Sequence, residues 1–235
     1  MVEDLKIPLQ ELGVESVSMK ECNLIHAMYL RSPKYVYSVL RSGKPFIFHG
    51  VGDDIRHGLT MLQKVALLKA SARIVTMKHI QKYLKGSVFV PRPVNMEKFA
   101  PRVLGKGAVY FMATTADPRL RTNELSYLSE IKKEAEKRHL ELTVVKSMTE
   151  IPYSDMPKFL SRFALYFDKE YEVEYGKTAL EAMAMKMPVW NRHLGLLDVG
   201  TAFDFVRLHH DSRLVARKLL EIYNSVLNKT SLSTI

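Results

Sequence analysis

The chain has 235 residues, 47% of them hydrophobic and 26% charged, which excludes a mostly disordered polymer and leaves room for one large or two small domains. Its 35 Lys+Arg against 25 Asp+Glu give a formal net charge of +10, favouring anionic partners: a nucleotide, a phosphorylated substrate, an anionic membrane surface or nucleic acid. The single cysteine, Cys22, excludes an intramolecular disulfide and fits a reducing compartment.

The predicted elements run in chain order as short apolar strands separated by helices. Residues 1–12 read as an amphipathic helix ending at Gly13. Leu24 to Met28 reads as a strand, Pro33 to Leu40 as a helix closed by Gly43, and Pro45 to His49 as a second strand ending in glycines. Leu59 to Lys69 is a predicted helix, followed by strands at Arg73–Thr76 and Ser87–Val90. Pro91, Pro93 and Pro101 then interrupt regular structure.

The second half repeats the pattern. Strands are predicted at Ala108–Met112, Leu140–Val145, Ala164–Phe167 and Val189–Trp190. Helices are predicted at Asn123–Arg138, Met156–Arg162, Thr178–Met185 and Leu214–Leu227. Strands alternating with helices of this length indicate parallel sheets with right-handed crossovers. The expected fold class is α/β with two Rossmann-like units, residues 1–95 and 96–235. Ligands in such folds sit at the carboxyl ends of the strands.

Several chemistries find no support. Gly176-Lys177-Thr178 looks like the end of a phosphate-binding loop, but Tyr171 stands where the first glycine is needed. No G-x-G-x-x-G follows a strand, no G-x-S-x-G elbow is present, and the histidines form no metal-ligand spacing. No apolar run approaches the ~18 residues that span a bilayer. The acidic start Met-Val-Glu-Asp-Leu-Lys has no apolar signal core. A cytoplasmic protein, in contact with a membrane surface at most, is expected. Lys78, Lys82 and Lys85 around Ile80, Tyr83 and Leu84 make a basic amphipathic patch, read either as a solvated face or as a membrane-surface contact.

The most informative stretch is Tyr175 to Val189. A glycine turn opens a helix, Glu181 lies in its second turn, and Pro188 stops it. The amides at the start of such a helix form an anion site, and Glu181 is placed to accept hydrogen bonds from sugar or ribose hydroxyls. This segment resembles the glycine–helix signature of retaining GT-B glycosyltransferases of the glycogen-synthase and mannosyltransferase type. Other segments agree in order: Asn23-Leu24-Ile25-His26-Ala27; Lys44 to Gly50 with Gly52-Asp53-Asp54-Ile55-Arg56; Val90 to Asn95 with Phe99 and Pro101; and Tyr153 to Phe167.

The resemblance implies a donor nucleotide-diphosphate sugar bound between two Rossmann domains, with no metal and no further cofactor. It implies that Arg119, with Arg121 or Lys177, neutralises the diphosphate, helped by the amides of Gly176, Lys177 and Thr178. Glu181 would hold the ribose, and His49 with the Gly50–Arg56 loop would face the cleft. The family's other glutamate falls on Val173, and a one-residue shift in the loop would let Glu174 or Glu172 take its role, with Glu174 nearest the sugar. His26 is expected to satisfy the sheet edge rather than touch substrate. The sequence departs from the family at Thr114, where an arginine is usual, at Val173, where the first of two glutamates is usual, and at Lys186, where glycine is usual.

The N-terminal unit is short for the family. An uncovered sheet edge there leads to the expectation of a homo-oligomer or a partner subunit. The acceptor is expected to be anionic or presented at a membrane surface, and no specific nucleic acid is expected. The alternative is a non-catalytic nucleotide- or sugar-binding relative, or one subunit of a larger transferase.

Overall fold

The computed structural model describes residues 2–28, 30, 32–50, 59–112, 118–146, 151–168 and 174–232; of residues 2, 118–124 and 230–232 it describes the backbone alone. The chain divides into two units, Met1–Pro93 with Ser212–Ile235, and Val94–Asp211.

The first unit contains helix α1 (Val2–Glu11), strand β1 (Ile25–Met28), α2 (Pro33–Arg41), β2 (Phe46–Gly50), α3 (Met61–Lys69), β3 (Ala72–Val75), a 3-10 helix (Lys78–Tyr83) and β4 (Val88–Phe89). The closing helix α8 (Ser212–Leu232) completes it. Local chemistry accounts for several boundaries. Pro33 opens α2, where its fixed φ suits the first helical position. Past α2, Gly43 adopts φ +67°, a left-handed conformation that glycine takes without strain. Thr60 and Gln63 form a reciprocal capping box at the start of α3, and Gln63 Nε2 also donates to the Leu30 carbonyl at 2.6 Å.

All four strands are parallel in the order β1-β2-β3-β4. Right-handed crossovers that always step in the same direction place every connecting helix on one face. There Ile25, Ala27, Phe46, Phe48 and Val75 pack with Val36, Val39, Ala66 and Ile80. The opposite face would be bare. It is covered by Leu5 of α1 and by Val215, Leu219, Tyr223 and Val226 of α8, which meet Ile47, Ile74 and Val90. This need explains why residues 212–232 pack with the first unit, rather than with the second as chain order led us to expect.

The second unit contains β5 (Ala108–Phe111), α4 (Pro118–Lys137), β6 (Leu142–Val145), α5 (Met156–Leu160), β7 (Leu165–Phe167), α6 (Lys177–Ala184), β8 (Val189–Asn191), β9 (Gly195–Leu196) and α7 (Val199–His209). Its sheet runs β6-β5-β7-β8-β9, parallel except for the last pair. The chain leaves β5 to one side and returns to β7 on the other, so a topological switch point lies between them. Helix α4 covers one face through Tyr127, Ile131 and Ala135. Helices α5 and α6 cover the other, against Val109, Phe111 and Tyr166. The fold is α/β with two Rossmann-like units.

Strand β9 and helix α7 were not expected from the sequence. Asp198 caps α7 by accepting from the Thr201 amide at 2.9 Å. The basic Lys78–Tyr83 stretch is 3-10 rather than α-helical; it buries Ile80, as Leu84 is just beyond it, while Tyr83 stays exposed. Among the described residues no helix is long and apolar enough to cross a membrane.

Candidate functional site

At the carboxyl end of β7, beside the switch point, the chain places Asp168, which is 1% exposed. Its amide donates to the Trp190 carbonyl at 2.9 Å, and its own carbonyl accepts from the Tyr127 hydroxyl at 2.7 Å. Its carboxylate Oδ2 accepts from the Gly176 amide at 3.2 Å. Gly176 has an ordinary φ of −63°, so conformation does not demand glycine. Closeness does: a Cβ there would lie 3.0 Å from Asp168 Oδ1. Three phenols feel this carboxylate. Burial, and then the Asp168 charge, raise the Tyr127 and Tyr166 pKa values well above the ordinary tyrosine range and that of Tyr175 to about 12.

Helix α6 begins at Lys177 with Gly176 as its N-cap. Glu181, one turn on, is 2% exposed. Its Oε1 is 2.8 Å from Lys177 Nζ and accepts from the Tyr153 hydroxyl at 2.9 Å. The Tyr153 ring carries Lys98 Nζ 3.4 Å from its centroid, and Lys177 Nζ lies 5.9 Å from the Phe99 centroid. A buried carboxylate is thus held by one phenol and one ammonium, with a second ammonium against the phenol's ring. Such a cluster can exchange its internal cation for ligand hydroxyls, and the two lysines offer positive charge to an anion.

The helix start differs in two respects from the simple anion site read from the sequence. The Gly176 amide is engaged by Asp168. The Thr178 side chain is buried and hydrogen-bonded to Tyr166. Lys177 and Glu181 remain together. Glu174 is half-buried two residues before the N-cap. Helix α4 starts at Pro118 rather than Asn123, so Arg119 and Arg121 lie in its first turns; their side chains are outside the described residues. Thr114, Val173 and residues 51–56 of the Gly50–Arg56 loop are also outside them.

In the first unit, His49 lies near the carboxyl end of β2 and is 2% exposed. Its Nδ1 is 2.7 Å from His26 Nε2, and His26 Nδ1 is 2.6 Å from the Tyr223 hydroxyl. Burial lowers the His26 pKa to about 4 and the His49 pKa well below the ordinary value, so both rings are neutral at pH 7. His26 does satisfy polar groups within the fold, but through Tyr223 and His49.

Asp168, Tyr153 and Tyr223 were not singled out in the sequence. A signal existed for Asp168, the first acid directly after the apolar run Leu165–Phe167, where strands of this class deliver site residues. Tyr153 and Tyr223 gave none, because each meets its partner across a long sequence separation.

No protein-family model and no curated protein matches this chain. Solved structures do. A sucrose-phosphate synthase from Thermosynechococcus elongatus superposes with a TM-score of 0.57 at 15% identity, over 88% of this chain and 74% of that one. A glycosyltransferase from Rickettsia africae gives 0.50 at 12%, over 96% and 81%. A variant of S. aureus TarM, solved with fondaparinux, α-GlcNAc-glycerol and UDP, gives 0.50 at 12%, over 95% and 59%. The likeness is one of fold: this chain is built like the GT-B glycosyltransferases.

Proposed function

We propose that the protein transfers a sugar from a nucleotide-diphosphate sugar to an acceptor, with retention of anomeric configuration and without a metal. The observation that carries this reading is the buried Glu181, held by Lys177 and Tyr153 at the start of α6 in the unit that contains the switch point. A carboxylate one turn inside a helix can take both hydroxyls of a ribose, and the neighbouring cations suit a diphosphate. In this reading Glu181 holds the ribose, and Lys177, Arg119 and Arg121 neutralise charge developing on the leaving diphosphate. Glu174 takes the place nearest the sugar, and His49 hydrogen-bonds an oxygen of the sugar or acceptor. The acceptor is an anionic molecule or one presented at a membrane surface, consistent with the net charge of +10.

A second reading has one specific feature in its favour. Val173 replaces the glutamate that the resemblance places near the reacting sugar. The protein would then bind a nucleotide sugar without transferring it, alone or as one subunit of a larger transferase. Nucleoside-diphosphate release separates the two. Incubation with UDP-, GDP- and ADP-sugars should liberate one nucleotide, and Glu174→Gln should abolish the release. Binding of a nucleotide sugar with no release in any combination would favour the second reading.

A further inference from the structure

Tyr223, His26 and His49 form an unbranched chain of hydrogen bonds on the α8-covered face of the first sheet. The His26 and His49 ring centroids are 4.9 Å apart with planes 11° apart. With the facing nitrogens 2.7 Å apart, the rings lie end to end and nearly coplanar, which is good geometry for an N–H···N bond. The Tyr223 ring meets His26 edge-on, at 77°. At the far end, His49 Nε2 is buried and has no hydrogen-bond partner among the described residues.

Counting protons decides which way the chain runs. Each neutral imidazole carries one N–H and the phenol one O–H. In one arrangement Tyr223 donates to His26 Nδ1, His26 Nε2–H donates to His49 Nδ1, and His49 Nε2–H is left over. In the other, His49 Nδ1–H donates to His26 Nε2 and His26 Nδ1–H donates to the Tyr223 oxygen. That second arrangement strands the buried phenol proton, since Tyr223 has no other partner among the described residues, and it leaves His49 Nε2 unmet as well. The first leaves a single unmet donor, so it is favoured.

We infer that Tyr223 and His26 are positioning residues that fix the His49 proton on Nε2, so that the first unit presents one oriented N–H donor for an acceptor oxygen of the ligand. A second orphan lies at the end of the neighbouring strand. Thr76 follows β3, is 3% exposed, and its Oγ1 has no hydrogen-bond partner among the described residues. Ile74 is the register partner of His49, and Thr76, two residues on, shares its face. The Thr76 amide donates to the Gly50 carbonyl at 3.3 Å, which keeps it beside the end of β2. A donor N–H and a hydroxyl at neighbouring strand ends suit an oxygen-rich ligand, a hydroxyl or phosphoryl group. The assignment of that ligand to a sugar rests on the proposed function; the proton placement does not.

The test is long-range nitrogen–proton NMR on the full-length protein with labelled histidines, first without any ligand. The expected wild-type spectrum shows both His26 and His49 protonated on Nε2 and bare on Nδ1. Tyr223→Phe removes only the hydroxyl and should release His26, and with it His49, to a mixture of tautomers. His26→Gln supplies a side-chain amide that can donate to His49 Nδ1, and should keep the His49 proton on Nε2. A wild-type His49 protonated on Nδ1 would overturn the inference, even if neither variant folds. So would an unchanged pair of tautomers in a folded Tyr223→Phe protein. Addition of UDP-, GDP- or ADP-sugars afterwards probes the glycosyl reading separately: without a His49 Nε2 shift, the proton placement stands and His49's assignment to the sugar falls.

Discussion

Lys177 and Glu181 stand one helical turn apart and are joined Nζ to Oε1 at 2.8 Å, with Glu181 fully withdrawn from solvent. The pair sets a cation at the start of α6, against a carboxylate buried inside the second unit. Replacing Lys177 by alanine leaves the carboxylate with Tyr153 and takes positive charge from the place proposed for the diphosphate. Stability should fall by about 1–3 kcal/mol, and nucleotide-diphosphate affinity by roughly tenfold to a hundredfold. Urea unfolding and calorimetric titration check the two numbers; unaltered affinity would remove Lys177 from the donor site.

The end of α6 holds a correctable strain. Lys186 has φ +59°, and its amide and that of Met187 close the helix by donating to Met183 and Ala182. A left-handed conformation costs a non-glycine residue about 1–2 kcal/mol. Lys186→Gly should therefore stabilise the protein by about 1 kcal/mol, less whatever the contact of Lys186 Nζ with the Phe203 ring contributes. The measure is the unfolding midpoint, expected to rise by roughly 2–4 °C; a fall would contradict the account.

Two glycines test closeness rather than conformation. A Cβ at Gly105 would overlap the Arg162 carbonyl oxygen, which is backbone and cannot swing aside. A Cβ at Gly176 would meet only the end of the Asp168 side chain. Gly105→Ala should be the more destabilising, by about 2–3 kcal/mol, and Gly176→Ala by about 1 kcal/mol. Denaturant midpoints that rank them the other way would show that Asp168 is more rigidly held than Arg162.

The buried histidines make stability depend on pH. His26 has a folded pKa of about 4 against 6.5 for the free group, and His49 is shifted the same way. The unfolded chain therefore binds protons first as pH falls. The stabilisation is complete above about pH 6.5 and is lost on acidification towards pH 4, by up to roughly 1.4 kcal/mol per pH unit for each histidine. Unfolding free energies at pH 7.5, 6.0 and 5.0 should decline accordingly, and His26→Gln should flatten the slope. A flat wild-type profile would contradict neutral burial.

The sequence was a good guide wherever local signals carry the answer. The apolar runs Phe46–Phe48 and Leu165–Phe167 and the glycine after α2 placed strands and a helix end close to where they lie. Chain order misled for α8, because the face it covers is left bare by the winding of a sheet formed much earlier in the chain. The candidate site was legible as far as the clustering of Gly176, Lys177 and Glu181, which are close in sequence. It was not legible where partners are distant: Tyr153 with Glu181, Tyr127 with Asp168, and Tyr223 with His26 each join residues that local pattern cannot pair.

The most direct test of the central claim is a thermal-shift panel of UDP, GDP, ADP and their common sugar conjugates, on the wild type and on Glu181→Ala. A ligand at 100 times its dissociation constant adds about 2.7 kcal/mol, a midpoint rise of roughly 5–10 °C for a chain of this size. The account predicts such a rise with one nucleotide and its loss in Glu181→Ala. No rise with any of them, or a rise that survives the substitution, would contradict a nucleotide-sugar site built on Glu181.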